Sequence, residues 1–279
     1  MREANPNRVH FHELADGSRY LRWRNVFEFH LSPDSKVITG HSLDGSPEAA
    51  FKTYMLGHLL SFALIGLGIE TIHAASVVLD GEAIAITGDS ARGKSTLSAA
   101  FLQAGYSLLC DDFLVLRPNG QEYVGYPGLP RIKLYERVAE HLAPKGKVGV
   151  PMSKSHRPKI IYALDDILDP VPVRVFYALA SPRSVGGLKG VHIEHLTERQ
   201  AYLELTENSF NITVKTPERL ASQFEWATEL VKRVPVKRLS YPRVLSILPE
   251  VIAAVQEDLA AYGDTARSAL ASTLPKRTP

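Results

Sequence analysis

The chain is poor in cysteine, nearly neutral, and without a long uninterrupted apolar run. Cys110 is the one cysteine among 279 residues. That excludes an internal disulfide and a cysteine-built zinc site, and it suits a reducing compartment. Lys and Arg total 32 against 30 Asp and Glu, a formal charge of +2, too close to neutral for a nucleic-acid binder. The most apolar stretch, residues 55–69, is about 15 residues long and carries His58, short of the ~20 that a membrane-spanning helix needs. It reads as a buried helix. The opening MREANPNRVHFHE has no apolar signal-peptide core, so the expectation is a cytoplasmic protein with no membrane partner. Repeats and low-complexity tracts are absent. Acidic residues are absent from 143–163, where Lys145, Lys147, Lys154, Arg157 and Lys159 gather. This basic stretch reads either as a loop that closes on an anionic ligand or as a solvated loop.

What is present is an ordinary globular composition, 45% apolar and 22% charged. Residues 9–14, 20–23, 26–31 and 36–39 are short strand-like runs separated by Asp16-Gly17 and Ser32-Pro33-Asp34, a β-meander. Ser46-Pro47-Glu48 opens a helix, with Ser46 as N-cap, that runs to about Leu67. Strands are expected at 71–79, 82–87, 106–110, 113–116, 172–180 and 189–194. Helices are expected after the 88–95 loop and at 136–142, 197–209, 216–232 and 246–262. Three parts follow: 1–70, a meander plus helix packed on the core; 71–265, the main domain; and 266–279, a tail with a frayed end.

Residues 84–96 read IAITGDSARGKST. Gly88-Asp89-Ser90-Ala91-Arg92-Gly93-Lys94-Ser95 fits the phosphate-loop template G-x-x-x-x-G-K-[ST] at every fixed position. An apolar run precedes it, and a helical pattern with Leu97, Ala100, Phe101 and Ala104 on one face follows. Such a loop wraps backbone N–H groups, a helix N-terminus and a lysine around phosphate oxygens. The expected ligand is therefore a nucleoside triphosphate.

Asp111-Asp112 ends a strand 16 residues after Ser95. One helix out and one strand back returns the pair to the loop's edge of a sheet. Phosphoryl transfer needs Mg²⁺ held by the loop hydroxyl and usually one acid, and a base when the acceptor is an alcohol. The pair reads either as metal acid plus base or as metal acid plus turn cap. Within a strand the two carboxylates would point to opposite faces. His73 lies in the strand expected to pair with the one entering the loop; alone it is either structural or functional.

Together, His73-Ala74-Ala75-Ser76-Val77, Gly88-Asp89-Ser90 with Gly93-Lys94-Ser95, and Gly105-Tyr106 with Leu108-Leu109 and Asp111-Asp112 resemble the bacterial HPr kinase/phosphorylase family. The likeness is nearer to the smaller serine kinases of peptide-biosynthesis clusters, such as those modifying lasso peptides. It covers 71–116 and extends more weakly over 20–135 and 234–248. It implies an α/β fold with a β-rich P-loop core related to phosphoenolpyruvate carboxykinase: mixed sheets, flanking helices and an N-terminal meander. By this resemblance, Gly88, Asp89, Ser90, Ala91, Arg92, Gly93, Lys94, Ser95 and Thr96 bind the nucleotide, and Lys94 neutralises the β/γ-phosphates. Asp111 is the base toward the acceptor serine, Asp112 assists metal or site charge, and His73 lies near the transferred group. Ser95 and Asp112 hold Mg²⁺.

The chain departs from the family at Ala91, usually glycine, and at the bulky Arg92. It lacks both the Glu-Val-Arg-Gly-type segment and the C-terminal Pro-Gly-Arg signature of the bifunctional enzymes, so phosphorylase activity is not expected. The reading is an ATP- and Mg²⁺-dependent kinase acting on a serine of a peptide or small protein, compatible with a homo-oligomer. A small-molecule alcohol kinase and a non-catalytic nucleotide-dependent regulator are the alternatives.

Overall fold

A computed structural model of the chain describes residues 9–23, 27–43, 48–152, 159–210 and 216–273. It is mixed α/β with three sheets. The first is an antiparallel meander of β1 (Val9–Glu13), β2 (Arg19–Trp23), β3 (Phe27–Leu31) and β4 (Ile38–Ser42). Its alternation is clean: Leu21, Trp23, Phe27, Phe29 and Leu31 are buried while Arg22 and His30 face solvent. The buried face is covered by Leu59, Phe62 and Ala63. These come from a segment made of α1 (Glu48–Tyr54), a π-helical turn (Met55–Leu59) and α2 (Leu60–Gly66). The expected helix is thus present, with a π turn inside it. Its proposed cap at Ser46-Pro47, like Val26 of the meander, lies outside the described residues.

The main sheet runs β5 (Thr71–Ile72), β9 (Leu114–Asn119), β10 (Glu122–Tyr126), β14 (Val171–Leu179), β7 (Glu82–Thr87), β6 (Ala74–Leu79) and β8 (Ser107–Cys110). On β14 also pairs β16 (Val236–Ser240), which carries β15 (His192–His195). Both faces of the middle strands are covered, so those strands are apolar throughout. Ile84 and Ile86 of β7, with Val175, Tyr177 and Leu179 of β14, enter one cluster. That cluster also holds Leu97 and Phe101 of α3 (Lys94–Gln103) and Val251 and Val255 of α7 (Leu248–Thr273). Ala83, Ala85, Phe176 and Ala178 face the other way. They meet Leu205 of α5 (Glu198–Glu207) and Leu230 of α6 (Pro217–Arg233). A third sheet, β11 (Arg131–Tyr135), β13 (Lys159–Ala163) and β12 (Val150–Pro151), adjoins α4 (Glu136–Leu142).

Four differences from the sequence reading matter. The expected strand at 71–79 is two: β5 pairs with β9, β6 with β7 and β8, and His73 is the joint. The expected continuation through the Asp pair is likewise broken, because Asp112 adopts φ 75° between β8 and β9. Strands β10, β11, β12, β13 and β16 were not expected as strands. Helix α7 continues to Thr273, into the stretch expected as a tail.

No helix among the described residues is long and apolar enough to cross a membrane. One buried ion pair ties the helical layer to the joint at His73. Arg219 on α6 donates to Glu70 through Nε and Nη2, both at 3.1 Å, and Nη2 also donates to the Phe210 carbonyl at 2.9 Å. Phe210 N donates to Thr71 O at 3.0 Å, and its ring lies 5.3 Å from His73. Removing one partner of a buried pair strands the other charge. Glu70→Ala is therefore expected to lower unfolding stability by about 3–5 kcal/mol in urea melts. Lys52→Ala, which opens the exposed Lys52–Glu48 pair, should cost under about 1 kcal/mol.

Candidate active site

β7 ends at Thr87 and the chain turns at once, with Gly88 at φ 134° and Gly93 at φ 101°. Only glycine takes both angles without strain. Ala91, between them, is also left-handed at φ 64°. Ala91 thus sits where glycine would rest more easily, at a cost of roughly 1 kcal/mol. Lys94, the first residue of α3, folds its ammonium back into the bend. Its Nζ donates to the carbonyls of Gly88 at 2.6 Å and Asp89 at 3.3 Å. Burial lowers its pKa to about 8, against the opposing pull of Asp112, Asp111 and Asp89. Arg92 pairs with Asp89 and donates Nη1 to Leu179 O at 3.2 Å. Its guanidinium braces the loop against the end of β14.

β8 delivers Asp111 and Asp112 to the same edge. Asp111 accepts from Ser95 Oγ at 3.0 Å and from the Lys133 backbone N–H at 3.0 Å. Asp112 accepts from Lys133 Nζ, and its other oxygen lies 3.8 Å from His73 Nε2. The left-handed turn at Asp112 swings its carboxylate round, so the two acids do not splay to opposite faces; both converge on Lys133 of β11. Burial, with Asp112 alongside, pushes the Asp111 carboxyl up against the pull of Lys133 and Lys159. Burial acts the same way on Asp112, but the His73 ring, Lys133 and Lys159 outweigh it and hold that carboxyl well below the usual carboxylate range. Burial pushes the neighbouring Cys110 thiol up, which leaves it a poor nucleophile.

A cavity of about 220 Å³ joins these parts, lined by His73, Ser90, Lys94, Ser95, Asp112 and Lys133 among others. Lys159 reaches it from β13 with Nζ 5.4 Å from the Tyr135 ring centre. The basic stretch therefore divides: Lys159 faces the site, Lys147 pairs with Asp165, and Lys154 and Arg157 lie outside the described residues. Among the described residues, no cluster of three His, Cys, Asp or Glu could hold a metal alone. Ser95 Oγ and Asp111 offer hard oxygen donors, which fits Mg²⁺, an ion that usually takes one or two carboxylates and completes its shell with phosphates and water. The loop hydroxyl thus meets Asp111, not Asp112, the acid expected beside it on the metal.

No protein-family profile matches the chain, and no curated protein does. Among solved structures the chain is similar to the Hpr(Ser) kinase/phosphatase from Coxiella burnetii, at 16% identity. That likeness covers 69% of this chain and 98% of the other, with a TM-score of 0.38.

One residue in the site had no sequence signal beyond its place at a helix end. Asn208, buried after α5, accepts from Gly88 N at 3.1 Å through Oδ1, and its backbone carbonyl accepts from His73 N at 2.7 Å. Its Nδ2 is spent on Glu204 O at 2.8 Å and Oε1 at 3.1 Å. The first glycine of the loop and the histidine joint hang on one side chain and its own peptide. Asn208→Ala leaves the Gly88 N–H buried and unpaired, and a loss of about 1–3 kcal/mol in thermal or urea unfolding is expected. Asn208→Asp keeps an acceptor for Gly88 but turns a carboxylate oxygen onto Glu204 O and Oε1, so it should be at least as destabilising as Asn208→Ala at neutral pH.

Proposed function

We propose that the chain is an ATP-dependent phosphotransferase, a serine kinase of the HPr-kinase-like type acting on a peptide or small protein. The observation that carries this is the gathering of Lys94, Ser95, Asp112, Lys133 and His73 around one cavity, with Asp111 directly behind Ser95 at 3.0 Å. A nucleotide sensor needs the first of these and has no use for two acids at the far end of the loop. The serine acceptor and its peptide setting rest on the sequence resemblance.

The geometry supports the following roles. Loop amides and Lys94 take the phosphates, and Lys94 exchanges its carbonyl contacts for phosphate oxygens. Asp111, raised by burial, takes the proton of the acceptor hydroxyl as that oxygen bonds the γ-phosphorus and the bridge to the β-phosphate breaks, releasing ADP. Asp112 stays ionised and fixes Lys133 and His73 beside the transferred group. Ser95 with a site carboxylate would hold Mg²⁺, which would supply positive charge to the phosphates during transfer.

The 3.0 Å bond from Ser95 to Asp111 favours a second reading. In it, Asp111 holds the metal, and Asp112, which lines the cavity, takes the proton. Kinetics separates the two. Loss of the base should reduce kcat by about 10²–10⁴-fold with an unchanged Mg²⁺ requirement. Loss of the metal acid should raise the Mg²⁺ needed for half-maximal rate. Asp111→Asn is expected to show the first pattern and Asp112→Asn the second; the reverse assigns the roles the other way. Two active variants would remove the pair from the chemistry altogether.

Lys94 gives a pH test. Its charged form is the one that binds phosphate, and its pKa in the folded chain is about 8. Affinity for ATP should therefore be full below pH 8 and decline as pH rises through it. Calorimetric titration should show that decline, and Lys94→Ala should abolish it along with most of the binding.

A further inference from the structure

The small third sheet turns one face to the core and the other to the acid pair. Ile132, Leu134 and Tyr162 enter the core, with Ile160 packed against them. Side chains alternate along a strand, so Arg131, Lys133 and Tyr135 of β11 share the opposite face. The register sets Lys159 beside Tyr135, Ile161 beside Lys133 and Ala163 beside Arg131, with Val150 of β12 beside Ile161. Directly paired residues point to the same side of a sheet. That face therefore carries Arg131, Lys133 and Lys159 next to Tyr135, Ile161 and Val150. None of its three strands contains an Asp or Glu.

The three cations have different surroundings. Lys133 is bound to Asp112, and both Lys133 and Lys159 line the cavity beside the phosphate loop. Arg131 does not line that cavity, yet it stands within the field of both acids: burial lowers its pKa against the pull of Asp111 and Asp112. It forms an ion pair with neither. Asp111 is engaged by Ser95 and the Lys133 amide, and Asp112 by Lys133 with His73 alongside. Among the described residues no other carboxylate pairs with Arg131. A half-buried guanidinium in this position offers a rigid fork of donors matched to a carboxylate that the chain itself does not supply.

We propose that Arg131 reads the acceptor: it binds an acidic side chain two residues from the serine that is phosphorylated, with the acceptor peptide extended along this face. The proposal rests on the kinase reading and adds what the acceptor carries beside its serine. The acceptor hydroxyl has to meet the γ-phosphorus from the side opposite the leaving group, and so comes to the acids from outside the phosphates. Of the three cations on the face, Arg131 is the one outside the phosphate cavity. It lies two residues from Lys133 along β11, about 6–7 Å at the rise of a strand. An extended peptide covers the same distance in two residues. A serine held at the acids beside Lys133 thus places the side chain two positions away at Arg131. Ile161 and Val150, the latter more than half exposed, offer apolar surface to the rest of the segment. A cationic segment would meet three like charges instead.

The test gives the full chain Mg-ATP and a peptide library with one fixed serine and randomised neighbours, and sequences the phosphorylated products by mass spectrometry. Asp and Glu should be enriched about tenfold over Asn and Gln two positions from the serine, and Lys and Arg depleted there. Arg131→Gln should bring the acidic enrichment to within about twofold of none, and Arg131→Lys should keep part of it; unchanged melting temperatures show that both variants fold. The enrichment is a ratio within one reaction, so a general loss of rate does not move it. Products without acidic enrichment, or an enrichment that survives in Arg131→Gln, overturn the proposal and leave the kinase reading standing. A chain that binds ATP and phosphorylates no peptide of the library removes the peptide acceptor itself, and the proposal falls with it.

Discussion

Two carboxylates on adjacent residues, both largely removed from water, cannot both remain ionised unless cations stand beside them. This constraint organises the site. Lys133 meets it twice, with its backbone N–H on Asp111 and its ammonium on Asp112. A third sheet is needed to bring it there, since β11 belongs to neither the main sheet nor the meander. Lys159 adds charge from β13, the neighbour of β11 in the same small sheet. The small sheet is thus a platform of counter-ions for a strand end that would otherwise have to hold a proton. The asymmetry between the acids follows. Asp112 has the lysine ammonium and the histidine and stays charged. Asp111 has a hydroxyl, an amide and its own neighbour's negative charge, and its affinity for a proton rises.

The loop poses the complementary problem. Its lysine is buried with carbonyl oxygens as partners, so its charge is only partly compensated and its pKa falls. Phosphate oxygens would supply the missing negative charge. A loop held in this state is stabilised by an anion more than a solvated loop would be. Ala91 in a left-handed conformation adds to the same economy of strain. Arg92 works against it by tying the loop to Asp89 and to β14.

Sequence patterns exposed those parts whose neighbours are near in the chain. The meander was legible because Leu21, Trp23, Phe27, Phe29 and Leu31 alternate with polar residues over a two-residue period. The loop was legible because its template is contiguous. Two of the missed strands carry buried charge. Lys237 in β16 is buried and pairs with Asp258 of α7 at 2.7 Å, and Lys133 in β11 is buried against Asp112. Both segments alternate lysine with apolar residues, and such lysines read as solvent-facing until the distant carboxylate is known. His73 was placed in an unbroken strand because residues on either side are equally apolar; the break there is a change of partner, which leaves no local mark.

Asn208 shows the same limit in sharper form. Its side chain reaches Gly88 across 120 residues of sequence, and at a helix end an asparagine needs no further explanation. Yet it makes the loop and the histidine joint parts of one hydrogen-bonded unit, further braced by Phe210 and the buried Glu70–Arg219 pair. The phosphate-binding and acid-bearing arms are therefore not independent. A shift of α5 moves Gly88 and His73 together, so the loop and the joint keep their spacing relative to each other. In the kinase proposed above, in-line transfer would depend on that spacing, because an error of an ångström between donor phosphate and acceptor base costs far more rate than it costs binding.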